Sequence, residues 1–172
     1  LCSNGDYDDA ANIFIQLGEY SDSVQKAEEA KKLSFTNAQY GDVLYFGKYE
    51  QNGDLSDGEE PIEWIVVSRD EDRVLVISKY CLEMSHFGDD NWAESSVRRW
   101  LNGEFADSAF TAEEYAKIPT VNIRNRDNID YEHDGGGNTE DKLFLLSADE
   151  CDKYLDNDMR ITKRTADLRD VY

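Results

Sequence analysis

The residues best suited to bind a metal ion lie on a predicted loop. Four of them fall within six positions: His86, Asp89, Asp90 and Asn91. The hard oxygen ligands of Asp89, Asp90 and Asn91 suit calcium. A second acidic loop carries five more candidates: Asn52, Asp54, Asp57, Glu59 and Glu60. Neither loop has the spacing of an EF-hand with its central glycine. In a chain of net charge −20, solvated turns are the alternative interpretation of both loops.

Tryptophan side chains offer flat faces on which a sugar ring could stack, and the chain has three: Trp64, Trp92 and Trp100. Trp64 falls in a strand pattern and Trp100 on a helical apolar stripe, so both are predicted to be core residues. Trp92 lies on a predicted loop. Trp92 and His86 are therefore the candidate ligand-binding residues.

No catalytic signature is present. The chain lacks a P-loop, a G-x-G-x-x-G run and a G-x-S-x-G run. A histidine-dependent nucleophile would need His86 or His133. Cys81 lies five positions before His86, a spacing weakly compatible with a nucleophile–base pair. An apolar cysteine beside an exposed histidine is the alternative, and we predict no catalytic residues.

The cysteines do not form a closed framework. There are three, at positions 2, 81 and 151, without a C-x-x-C pair, which argues against redox and zinc-ribbon functions. We expect Cys81 and Cys151 to be buried free thiols, with a bridge between them as the alternative.

The charge of the chain limits its partners. Lys and Arg total 18 against 38 Asp and Glu, a balance that repels nucleic acid and anionic membrane surfaces. Arg98 and Arg99 are expected to neutralise local carboxylates. Hydrophobic residues make up 40%, enough for a core. No apolar run is long enough to span a bilayer, and we expect any leader or anchor to lie outside this sequence.

The elements that position these residues follow from periodicity. Residues 5–33 predict two helices, with Gly18 and Asp22 as caps, and residues 34–40 a connector. Apolar runs at 43–46, 62–67 and 74–77 predict an antiparallel meander. Helices are predicted over 94–105, after Thr111 and after Ser147. Strands are predicted at 121–123 and 143–146, separated by a polar loop over 125–141.

The first segment, residues 1–34, resembles a tetratricopeptide-type repeat. The resemblance rests on the run Gly-Asp-Tyr-Asp-Asp-Ala from Gly5 and on Leu-Gly-Glu-Tyr-Ser-Asp-Ser from Leu17. It implies a truncated array of the kind found in surface proteins of Gram-positive bacteria, with further helices upstream. The alternative is a lone helical hairpin.

Residues 39–172 carry an ordered series of motifs: GDVLYFGKYE from Gly41, EPIEW from Glu60, VLVISKY from Val74, WAESSVRRWLN from Trp92 and NTEDKLFLLS from Asn138. The series resembles a bacterial extracellular domain family of unknown function. The resemblance implies an envelope-anchored Firmicutes protein and a C-type-lectin-like organisation. It also implies a tryptophan-rich strand and a closing Gly-Val-Arg-Pro-type segment beyond Tyr172, so we expect a partial domain or one that closes differently.

The predicted fold class is therefore α+β: a helical hairpin followed by an antiparallel-sheet domain with two or three short helices. The predicted function is a non-catalytic surface module that binds a protein, a glycan or a cell-wall polymer, with calcium as the one cofactor considered. The alternatives are an enzyme with the architecture of formylglycine-generating enzymes and a structural spacer.

Overall fold

The computed structural model describes residues 7–16, 23–88, 91–127 and 134–164. The chain divides into two compact units, Leu1–Tyr45 with Glu63–Lys79, and Phe46–Ile62 with Tyr80–Tyr172. The predicted division between residues 34 and 39 falls inside the first unit. Mixed α/β structure with antiparallel sheets and a few short helices confirms the predicted fold class at that level.

The first unit begins with helices α1 (Tyr7–Gln16) and α2 (Ser23–Asn37). They pack through buried alanines at positions 10, 11 and 30, with Phe14 against them. Small side chains there allow the two backbones to approach closely. The predicted caps Gly18 and Asp22 lie outside the described residues.

Helix α2 continues through residues 34–37, so the predicted connector begins too early. The reason is a long-range cap. Arg69 donates hydrogen bonds to the carbonyls of Phe35, Thr36 and Ala38, at 3.3, 2.6 and 2.9 Å. These bonds satisfy carbonyl groups that the end of a helix leaves without intrahelical partners.

A three-stranded sheet contains β1 (Val43–Tyr49), β2 (Glu60–Arg69) and β3 (Val74–Ser78), in the order β1-β2-β3. Strands β2 and β3 are antiparallel, as predicted. One apolar cluster of the sheet contains three buried residues: Ala38, Leu44 and Val66. Phe35, Val74 and Val76 pack against them.

The second unit contains short strand pairs. Strand β4 (Tyr80–Cys81) pairs in parallel with β7 (Lys163–Arg164), an arrangement that the sequence patterns did not predict. Strand β5 (Val121–Ile123) pairs antiparallel with β6 (Thr139–Asp141).

The helices of this unit are α3 (Ser96–Trp100), α4 (Ala106–Ala109), α5 (Ala112–Lys117) and α6 (Ala148–Tyr154). A π-helical segment, Leu101–Phe105, joins α3 to α4. The capping boxes predicted at Thr111 and Ser147 are both formed. None of the described helices is both long and apolar enough to cross a membrane.

Two predictions near β6 are wrong. Residues 143–146 form no strand, and Leu145 is 49% exposed. The strand of this region lies instead at Thr139–Asp141, inside the predicted polar loop. Asn102 explains the difference, because its side chain bonds the backbone groups of Lys142 and Leu143 that a strand would use for pairing.

The thiols of Cys81 and Cys151 are free. Cys81 is exposed, which corrects the prediction that it is buried. Its neighbour Leu82 is 8% exposed. Successive side chains of an extended chain point to opposite faces, so burial of Leu82 turns Cys81 outward.

Candidate functional site

The start of α3 is held by a buried serine. Ser95 is fully buried, and its Oγ accepts a hydrogen bond from the Arg98 backbone at 3.2 Å. The same hydroxyl donates to the Trp92 carbonyl at 3.0 Å. These bonds fix the first turn of the helix. They therefore also fix the backbone position of Arg98, which lies in that turn.

Asp141 is the centre of a buried polar network. It is 3% exposed and accepts hydrogen bonds from Trp92 Nε1 at 2.9 Å and from Thr139 Oγ1 at 2.6 Å. Arg98 Nε lies 2.8 and 3.0 Å from the two carboxylate oxygens. A buried carboxylate needs such compensation, because desolvation of an unpaired charge is costly.

Strand alternation places two members of this network. In β6, Thr139 and Asp141 point inward and are buried, whereas Glu140 between them is exposed. The Glu140 carboxylate accepts a hydrogen bond from Asn122 of the paired strand at 2.7 Å. The strand therefore presents one carboxylate to the interior and one to the surface.

Asn102, in the π-helical segment, ties this helix to the chain after β6. Its Oδ1 accepts from the backbone N–H groups of Lys142 and Leu143, both at 3.1 Å. Its Nδ2 donates to the carbonyls of Arg98 and Leu143 at 3.2 and 2.8 Å. The Asn102 amide thus makes four hydrogen bonds, two through its oxygen and two through its nitrogen. π-Helical turns often occur at functional sites.

An open cleft of about 340 Å³ lies beside this network. Eight residues line it: Arg98, Arg99, Asn102, Tyr115, Thr120, Glu140, Asp141 and Lys142. Three of these are cationic and two are carboxylates. The cleft is therefore a locally basic surface on a chain whose net charge is −20.

Lys142 is held in place at the cleft. Its Nζ donates to the Tyr115 carbonyl at 2.7 Å and lies 4.3 Å from the centre of the Tyr115 ring. A cation over an aromatic face is attracted by the electrons of the ring. The ammonium group is thus fixed in position, although a lysine side chain is ordinarily mobile.

The structure contradicts the exposure on which the Trp92 hypothesis relied. Trp92 is 9% exposed and packs with Val97 and Ile123 in an apolar cluster. Because its ring faces this cluster and its N–H is bonded to Asp141, it offers no exposed platform for a ligand. The loop position of Trp92 predicted an exposed side chain, but the indole is buried by residues of other segments.

The predicted calcium residues are only partly described. His86 is exposed, and its backbone carbonyl accepts from Ser96 Oγ at 2.9 Å. Asn91 Oδ1 accepts from the Glu94 backbone at 3.1 Å, so this oxygen has a structural role in a turn. Asp89 and Asp90 lie outside the described residues, so their predicted role stays a prediction.

The second acidic loop is organised by its own hydrogen bonds. Glu60 accepts from the Gln51 backbone at 2.7 Å and from the Asn52 side chain. The Ser56 hydroxyl and backbone N–H bond the Asp54 carboxylate at 2.6 and 3.0 Å and lower its pKa below the usual 3.8. Within the described ranges, no group of three or more His, Cys, Asp or Glu side chains could hold a metal ion.

Comparison with known proteins gives one match. Residues 71–169 match the family described as Domain of unknown function (DUF6273), more than half of the chain. The chain belongs to this family. No curated protein and no solved structure matches the chain.

The matched segment contains every residue that lines the cleft and every member of the Asp141 network. The motifs from Val74, Trp92 and Asn138 fall within it, whereas those from Gly41 and Glu60 precede it. The buried network and the cleft are thus features of the family segment.

Sequence reasoning missed both the network and the cleft. Arg98 was predicted to pair with local carboxylates, but its partner Asp141 is 43 positions away. One signal was available, because the run Thr139-Glu140-Asp141 places a hydroxyl and a carboxylate on the same face of any strand. No spacing in the sequence connects this face to α3.

Proposed function

We propose that this chain is a non-catalytic binding module of a bacterial surface protein and that its ligand occupies the cleft beside Asp141. The observation that carries the proposal is the concentration of cationic side chains at one cleft of a strongly acidic chain. A local reversal of charge favours ligands that the rest of the surface repels.

The construction of the cleft supports binding. Asn102 fixes one wall by hydrogen bonds, and the Arg98–Asp141 pair is anchored by Trp92 and Thr139. A site whose walls are already fixed loses little conformational freedom when a ligand enters. The lining contains no Val, Leu, Ile or Phe side chain, which favours a hydroxyl-rich glycan over an apolar peptide segment.

The cellular setting is part of the proposal. Helices α1 and α2 form a tetratricopeptide-like hairpin, and the following domain has a C-type-lectin-like organisation. The close packing of the alanines on α1 and α2 supports the first assignment. Short antiparallel pairs joined by long loops support the second. Trypsin added to intact cells that produce the protein is expected to remove the domain; a protected domain would contradict surface exposure.

Calcium at residues 86–91 also stays a proposal. The loop carries a histidine, two aspartates and an asparagine. The carboxylate and amide oxygens of Asp89, Asp90 and Asn91 are ligands of the type that suits calcium.

A printed array of neutral, carboxylated and phosphorylated glycans tests the binding function. We expect the wild-type chain to bind glycans on the array and the double variant R99Q/K142Q to lose most of that signal. The matched control is Lys153→Gln, because Lys153 also lies over an aromatic ring, at 4.4 Å from that of Tyr154, but does not line the cleft. An empty array, or equal signals from wild type and double variant, would contradict the proposal.

A further inference from the structure

We infer that Asn52, in the second acidic loop, is a self-modification site, where the folded loop promotes loss of the side-chain amide as ammonia. The product is an aspartyl or isoaspartyl residue. The reacting groups are the Asn52 side chain and the backbone nitrogen of Gly53, with the Glu50 carboxylate as the base. None of these residues lines the cleft, so the inference is independent of the proposed binding function.

The loop holds the nucleophile against its base. The backbone N–H of Gly53 donates to Glu50 Oε1 at 2.6 Å, and the N–H of Asn52 donates to the same oxygen at 2.9 Å. A carboxylate there can take the Gly53 proton in the plane of the peptide, which leaves the nitrogen free to attack from above that plane. Gly53 has a φ of 77° and no Cβ, so no side chain of its own shields this nitrogen.

The Asn52 amide is placed and polarised as the electrophile. Its Oδ1 accepts a hydrogen bond from the Asp54 backbone N–H at 2.6 Å. The ring closed by this bond contains both atoms that would join, Asn52 Cγ and Gly53 N. A donor at Oδ1 also stabilises the negative charge that develops there when the nitrogen attacks. The leaving Nδ2 donates to the carboxylates of Asp57 and Glu60.

The reaction balances with water as the one co-reactant. A bond forms between Gly53 N and Asn52 Cγ, the Cγ–Nδ2 bond breaks, and the proton taken by Glu50 leaves with Nδ2 as ammonia. This step gives a cyclic imide. Water then opens the imide at Cγ, which yields aspartate, or at the Asn52 backbone carbonyl, which yields an isoaspartyl linkage.

The product loosens the loop. The Asn52 amide is the donor that bonds Asp57 and Glu60. In the aspartyl product a carboxylate takes the place of this donor, and like charges so close together repel each other. The modification therefore removes hydrogen bonds and adds repulsion at the same point.

A second asparagine provides a matched comparison, because Asn102 is also followed by glycine. Asn102 lies in the π-helical segment, and its Oδ1 accepts from the N–H groups of Lys142 and Leu143. Its side chain is therefore held by another segment. A helical side chain also points back toward the start of the helix, away from the peptide nitrogen that follows it. We expect the folded chain to protect Asn102.

Peptide mapping by mass spectrometry, after incubation of the whole chain at neutral pH, tests the inference. In the native chain we expect Asn52 to lose its amide at least about tenfold faster than Asn102, and faster than in guanidinium chloride. Glu50→Gln keeps an oxygen that accepts both N–H groups but cannot take the proton, so it should slow the reaction at least about tenfold. The control Glu59→Gln makes the same charge change in the same loop and should leave the rate unchanged.

Three results would overturn the inference: equal native rates at Asn52 and Asn102, a native rate at Asn52 no higher than in guanidinium chloride, or equal rates in Glu50→Gln and Glu59→Gln. If circular dichroism shows that Glu50→Gln fails to fold, the two wild-type comparisons decide. In deuterium exchange, Asn52→Asp should exchange the amides of residues 53–58 faster than the wild type, and equal exchange would refute the loosening of the loop.

Discussion

Replacing Asp141 by alanine removes the acceptor that three buried or half-buried donors share. Trp92 Nε1, Thr139 Oγ1 and Arg98 Nε all lie within 3.0 Å of its carboxylate oxygens. In the variant, the indole N–H is left in an apolar cluster, and the guanidinium loses its counter-charge. The folded state should therefore be strongly destabilised, although the substitution lies outside the largest apolar clusters.

The expected magnitude follows from burial. Breaking a buried ion pair by removing one partner costs about 3 to 5 kcal/mol. The Asp141 side chain is 2% exposed, but that of Arg98 is 26% exposed, so water can partly replace the lost partner. We therefore expect the free energy of unfolding to fall by about 3 kcal/mol, toward the lower end of that range.

Urea unfolding, monitored both by tryptophan fluorescence and by circular dichroism, measures this loss. If the two transitions coincide, a two-state analysis is justified. The control is Asp149→Ala, which breaks the ion pair with Arg126 at 3.0 Å, where the side chains are 64% and 74% exposed. We expect this control to cost less than about 1 kcal/mol. A loss at Asp141 no larger than that at Asp149 would refute the argument that the buried network stabilises the fold.

Three further predictions concern a glycine, a carboxylate and the proposed calcium loop. Gly47 has φ +71°, and a Cβ there would lie 2.5 Å from the Phe110 ring, so Gly47→Ala should cost about 3 kcal/mol in urea unfolding. Gly103→Ala meets nothing within 4 Å and should be neutral or slightly stabilising; equal effects would contradict this. Hydrogen bonds from Ser56 lower the pKa of Asp54, so their stabilisation is present above the unfolded pKa and lost as pH falls through the folded value. Ser56→Ala should return this pKa toward 3.8 in an NMR titration, and an unchanged pKa would assign the shift to another cause. EDTA should lower the melting temperature, and excess calcium should restore it in the wild type but not in D89N/D90N; identical melts throughout would remove calcium from the proposal.

Local signals predicted the starts of α5 and α6 correctly. The capping boxes at Thr111 and Ser147 each involve a partner three positions later, so the sequence contains the whole interaction. The apolar runs that became β1, β2 and β3 were also predictable, because consecutive β-branched and aromatic residues favour strands.

The sequence-based predictions were wrong where the local structure depends on a residue far along the chain. The apolar run at 143–146 has strand composition, but Asn102 binds the backbone at Lys142 and Leu143, and β5 pairs with residues 139–141 instead. Helix α2 extends beyond its predicted end because Arg69, more than 30 positions later, bonds its last carbonyls. Neither partner is identifiable from local spacing.

The acidic character of the chain, its mixed α/β composition and the starts of α5 and α6 could be read from the sequence, because these depend on composition and on residues within one turn of each other. Three features became evident only in the folded chain: Trp92 is buried, Asp141 is the partner of Arg98, and Arg98, Arg99 and Lys142 line one cleft. Each of these depends on contacts between segments about 40 or more positions apart. Such contacts are selected by the packing of the whole unit, which no local pattern of residues encodes.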